Sequence, residues 1–146
     1  MTSVILLVKE QKAVADYWLK TFTESGHTAI ICNTNEGDVL QAIRAHLPAT
    51  LFIEARFGNN RGFEIARQAK LIHPTLRGVV CLPVQVAYYP AAIQTDVNGY
   101  LPETIEDPQE VFTCLNVINQ GYRYVSPVFH RALYRRRLCG LVPINT

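Results

Sequence analysis

The chain has 146 residues, 49% of them apolar and 18% charged, with a formal net charge of +2. That length holds one domain with a real core, and the composition excludes wholesale disorder. No stretch approaches the ~20 apolar residues of a membrane span, and the opening "MTSVILLVKEQ" lacks the basic leader of a signal peptide, so a cytoplasmic protein without membrane contact is expected.

In chain order, "SVILLV" (3–8) reads as a buried parallel strand, apolar on both faces. "KAVADYWLKTFTESG" follows as a helix, with Val14, Trp18 or Tyr17, and Phe22 at helical spacing and Gly26 as its stop. "HTAIIC" (27–32) is a second strand, and "GDVLQAIRAHL" a helix ended near Pro48. "TLFIEA" is the third strand, finishing on the carboxylate Glu54; "RGFEIARQAKLIH" is the third helix, closed by Pro74. "RGVVCL" (77–82) is the fourth strand. In "PVQVAYYPAAIQTD", Pro90 falls inside the next helix, which is expected to be short, kinked or displaced. "NGYLP" (98–102) is a short fifth strand. "DPQEVFTCLNVINQGYRY" is a fifth helix, with Asp107 as N-cap and Pro108 at its first position. "SPVFHRALYRRR" adds a final helix capped by Ser126.

Strands alternating with helices imply a parallel sheet covered on both faces, with the working crevice at the carboxyl ends of the strands. Those ends carry Lys9 and Glu10, Glu54, Pro83 and Glu103. The cysteines Cys32, Cys81, Cys114 and Cys139 are scattered without the paired spacing of a zinc site, which suits reduced thiols. His27, His46, His73 and His130 fall on different elements, so neither a metal site nor a catalytic pair is indicated, and no Gly-rich phosphate loop is present. No cofactor and no catalytic residue are expected.

Taken together, "SVILLVKEQKAVADYWLKTF", "TLFIEARFGNNRGFEIARQAK", "GVVCLPV", "NGYLPE" and "GYRYVSP" resemble the receiver domain of bacterial response regulators. The last of these is most similar to the receiver's end in the NarL/FixJ-type subfamily. The resemblance implies a three-layer (βα)5, flavodoxin-like or CheY-like sheet with strand order 2-1-3-4-5. It assigns residues 1–125 to a receiver-like domain and 126–146 to a short basic helix or tail. Glu54 and Gly62 keep the interval between the family's phospho-acceptor and its loop glycine.

Carried over residue by residue, the family's chemistry is largely replaced. Lys9 and Glu10 stand where two adjacent acids hold Mg²⁺, and Glu54 where an Asp accepts the phosphoryl group. Pro83 replaces the Thr or Ser that grips the phosphoryl group, and Glu103 the Lys after strand five. Tyr100 fits the aromatic switch position. Phosphoryl transfer to a carboxylate needs a divalent cation, an in-line acceptor oxygen and positive groups to take up developing charge. An ammonium at position 9, a longer acceptor side chain, a proline without N–H or hydroxyl, and an added negative charge at 103 all work against it. Glu54 is therefore not expected to be phosphorylated by the usual route.

Lys9 is expected to supply the missing positive charge internally by pairing with Glu54 or Glu103. Glu54 reads equally as a stand-in for phosphoryl-aspartate or as a solvated acid at a strand end. Tyr100 reads as a switch or as a strand aromatic packed on the last helix, and Asn59, Asn60 and Arg61 as turn residues. Tyr88 and Tyr89 with Pro90 suggest an interface near the fourth helix.

The leading expectation is an atypical receiver working by phosphorylation-independent contact with a protein partner or a second copy of itself. A phospho-accepting receiver, and a sensor of a small ligand in the vacated crevice, stay open beside it. Four arginines, Arg131 and Arg135 to Arg137, make the end basic, which suits contact with nucleic acid, lipid headgroups or an acidic partner, or a solvated helix end. No recognition helix with a supporting second helix is visible, so direct nucleic-acid binding is not expected.

Overall fold

The computed structural model describes residues 4–84, 97–105, 107–129 and 131. Its strands are β1 (Val4–Val8), β2 (Thr28–Ile31), β3 (Thr50–Glu54), β4 (Arg77–Leu82), β5 (Gly99–Pro102) and β6 (Tyr124–Val125). The longer helices are α1 (Lys12–Glu24), α2 (Glu36–His46), α3 (Gly62–Ile72) and α4 (Gln109–Asn119). All strand pairs are parallel, and the order across the sheet is 2-1-3-4-5-6.

The apolar two-sidedness of the central strands has its cause in this layering. Leu6, Val8, Leu51, Ile53, Val80 and Tyr100 face one layer, where Val39 and Ile43 of α2 and Ile65 and Ala69 of α3 cover them. Ile5, Leu7, Phe52, Val79, Cys81 and Leu101 face the other, under Trp18 and Phe22 of α1 and Cys114 and Ile118 of α4. Strands sandwiched between two helical layers cannot afford a polar face.

Helix limits follow local chemistry. Asn35 accepts from the Asp38 amide at 2.8 Å and starts α2. Gly26, at φ +86°, ends α1 while His27 N–H returns to the Phe22 carbonyl. Tyr17 lies 53% exposed, so Trp18 is the core residue of that pair.

The expected sheet gains a strand. The fifth helix stops at Asn119 rather than running to Tyr124, because Gly121 adopts φ +90° and Tyr122 N–H turns back to the Val117 carbonyl. The chain then re-enters the sheet: Tyr124 N–H donates to the Asn98 carbonyl and Ser126 N–H to the Tyr100 carbonyl. Asp107 caps as expected, accepting from the Gln109 amide at 3.0 Å. Ser126 likewise accepts from the Val128 amide at 3.4 Å, and residues 127–129 are helical. The expected helix around Pro90, with Tyr88 and Tyr89, lies outside the described residues, as do His130, Cys139 and the arginines from 135 to 137.

Candidate functional site

Parallel pairing brings the strand ends together. Val8 lies beside Ile53 and Glu54 beside Cys81, so Lys9, Glu54 and Cys81 form a row across β1, β3 and β4. Glu103 follows β5 at the same end, its N–H on the Leu82 carbonyl, and Pro83 follows β4, half-buried.

Lys9 does not form the expected ion pair. Its side chain is fully covered (0% exposed), and among the described residues Nζ meets no oxygen acceptor and no carboxylate, the Cys81 sulfur being its polar neighbour. Strand alternation explains this: Lys9 follows Ile5 and Leu7 and points toward the α1 and α4 layer. There Nζ rests 4.0 Å from the centroid of the Trp18 ring, a cation–π contact. Burial pushes the neighbouring Cys81 thiol up, while the charge of Lys9 pulls it the other way.

The acids find other partners. Glu54 Oε1 accepts from the Glu10 amide at 2.6 Å, which ties the end of β3 to the loop after β1. Arg56, two residues beyond Glu54, grips Glu103 with Nε on Oε1 at 2.8 Å and Nη2 on Oε2 at 2.6 Å. On the other side of the same loop, Arg61 binds Glu36 of α2 through Nε at 3.0 Å and Nη2 at 3.1 Å. That guanidinium holds the Glu36 carboxyl below its ordinary pKa. The loop between the two arginines is thus fastened on both flanks.

Its backbone is unusual. Gly58, Asn59 and Asn60 take φ of 62°, 64° and 66°, a left-handed turn that Asn tolerates better than most residues. Gly62 makes the closest approach: a Cβ there would stand 2.2 Å from the Glu54 carbonyl oxygen. Only glycine lets α3 start against the strand that carries Glu54. Tyr100 is fully buried in the α2 and α3 layer.

A Mg²⁺ does not fit this donor set. Position 9 carries a buried ammonium, the described Glu54 oxygen takes an amide hydrogen, and both Glu103 oxygens hold Arg56. Among the described residues no group of three His, Cys, Asp or Glu side chains is placed to hold a metal. Arg56 escaped the sequence reading, although an acid at 103 in a site of acids calls for a cation nearby.

A cavity of about 290 Å³ lies not among Lys9, Glu54 and Pro83 but between α1 and α4, walled by Tyr17, Trp18, Phe22 and Val111. It shares Glu103 with the crevice.

Neither a protein-family model nor a curated protein sequence matches the chain. Solved structures do match in fold. A two-component response regulator of the LuxR family from Aurantimonas sp. SI85-9A1 superposes with a TM-score of 0.80 at 19% identity, over 94% of this chain and 99% of that one. A CheY-like response regulator receiver domain protein from Methanospirillum hungatei JF-1 gives 0.70 at 14% identity, over 80% and 92%. RcsB, solved as two dimers bound to two parallel DNAs, gives 0.75 at 12%, over 90% of this chain and 66% of that one. The fold is that of a receiver domain.

Proposed function

We propose that this chain is an atypical receiver that signals through contact with a protein, a second copy of itself included, without phosphorylation of Glu54. The observation carrying this reading is the charge arrangement at the strand ends. In phosphoryl transfer a metal and a positive side chain neutralise charge on the transferred group and hold the surrounding loops. Here Arg56 on the β3 side and Glu103 after β5 provide that tether between themselves, with the charges exchanged. Lys9 places a positive charge beside the crevice but is sealed under Trp18. Glu54, held by the Glu10 amide, serves to join two loops. Burial of Tyr100 in the core supports one settled state of the switch position.

Intact mass and an amide NMR spectrum, recorded with and without Mg²⁺ plus acetyl phosphate or beryllofluoride, test this. No adduct and no shifts at Glu10, Glu54 and Tyr100 are expected. A phosphoryl adduct on Glu54, or shifts spreading from it to Tyr100, would replace this reading with that of a phospho-accepting receiver. Sedimentation of the same sample then separates self-association from a heterologous partner.

A further inference from the structure

We propose that the cavity between α1 and α4 binds a small apolar ammonium, an arylalkylamine or short alkylamine, and that Glu103 recognises its charge. The cavity's size, about 290 Å³, is near the lower end of ligand pockets. The exposed Tyr17 ring and the edge of Trp18 line it, with the buried Phe22 behind them and Val111 as apolar wall. Among the described lining residues Glu103 carries the only charge. Aromatic rings plus one carboxylate make a lining that attracts an ammonium with a carbon skeleton.

Glu103 retains capacity for a second partner. A carboxylate offers about four acceptor positions, and Arg56 occupies one on each oxygen. A ligand ammonium at Glu103 would share the carboxylate with Arg56 and loosen its hold on the β3 loop. Occupancy of the cavity is thereby coupled to the crevice. The competing occupant is an anion drawn by the Lys9 charge on Trp18. Lys9 is fully covered and does not line the cavity, whereas Glu103 does. The inference stands apart from the phosphorylation question, since binding is read without any phosphodonor.

Trp18 is the single tryptophan of the chain, so its fluorescence reports on the cavity wall directly. The whole chain is titrated with 2-phenylethylammonium, 3-phenylpropanoate and 2-phenylethanol. A saturable response to the amine is expected, with the carboxylate and the alcohol weaker by roughly tenfold or more. Glu103→Gln should bring the amine down to the level of the alcohol, and Arg56→Ala should strengthen it. Ala13→Leu, on an exposed position that lines the cavity, should block all three probes without disturbing the core. Absence of a saturable amine response overturns the proposal, as does equal or tighter binding of the carboxylate or alcohol. So does amine binding that survives Glu103→Gln or Ala13→Leu.

Discussion

Arg56 and Glu103 face each other across the crevice, Nε on Oε1 at 2.8 Å and Nη2 on Oε2 at 2.6 Å, one following β3 and the other β5. The fork geometry is that of a bidentate pair, in which orientation as well as attraction is specified. The Arg56 side chain is 59% exposed and that of Glu103 15%, so water screens much of the attraction. A double-mutant cycle with Arg56→Ala and Glu103→Ala, followed by urea unfolding, is expected to give a coupling of about 0.5–1 kcal/mol that shrinks with added salt. Zero coupling at low salt would remove the clasp from any account of how the loop is held.

Lys9 presents the opposite case. A covered ammonium stacked on Trp18, with no oxygen acceptor among the described residues, is a charge whose desolvation is poorly compensated. Lys9→Met keeps the stem's volume and removes the charge, and is expected to stabilise the fold by about 1–3 kcal/mol in urea unfolding followed by Trp18 fluorescence. Lys9→Ala opens space under the indole and is expected to be less stable than Lys9→Met by about 2 kcal/mol or more. Strong destabilisation by both variants would show that the ammonium has a buried acceptor.

Two glycines separate crowding from backbone conformation. Gly62→Ala puts a methyl 2.2 Å from the Glu54 carbonyl oxygen and 2.6 Å from the Ala55 Cα, where backbone must move. Its cost is expected at about 3 kcal/mol or more, with amide shifts spreading to Glu54. At Gly26 a Cβ meets nothing, and only φ +86° resists it. Gly26→Ala is expected to cost about 1 kcal/mol, measured the same way.

Stability should fall at both ends of the pH range. Arg61 holds the Glu36 carboxyl, and Arg67 the Glu64 carboxyl, below their ordinary value of 4.5. A lowered folded-state pKa means the unfolded chain takes up protons first, so this contribution is complete above 4.5 and is lost as pH falls through the folded values. At the alkaline end, burial raises the Cys81 and Cys114 thiols above 9.0, and burial with the Glu110 bond raises the Tyr124 phenol above 10.0. There the unfolded chain releases protons that the folded chain keeps, so stability declines as pH rises past 9.0. Urea midpoints measured across pH should show both slopes. Glu36→Gln should flatten part of the acid slope and leave the alkaline one unchanged.

The sequence by itself determined the layering. Apolar runs of strand length between amphipathic helices demand burial on both faces, and only a parallel sheet under two helical layers provides it. The Glu54 to Gly62 interval and the caps Asp107 and Ser126 were equally legible, because each depends on residue type at short range. What the tertiary structure decided was which groups meet. Lys9 was expected to reach Glu54 or Glu103, but strand alternation aims it at Trp18, a contact between β1 and a helix that no spacing encodes. Arg56 became the partner of Glu103 only once β3 and β5 stood two strands apart in the sheet. β6 was read as the tail of a helix, since two residues are too short for a period and only the open edge of β5 gives them partners. The left-handed turn that carries Asn59 and Asn60, and the cavity that shares Glu103 with the crevice, likewise exist only where distant segments close on one another.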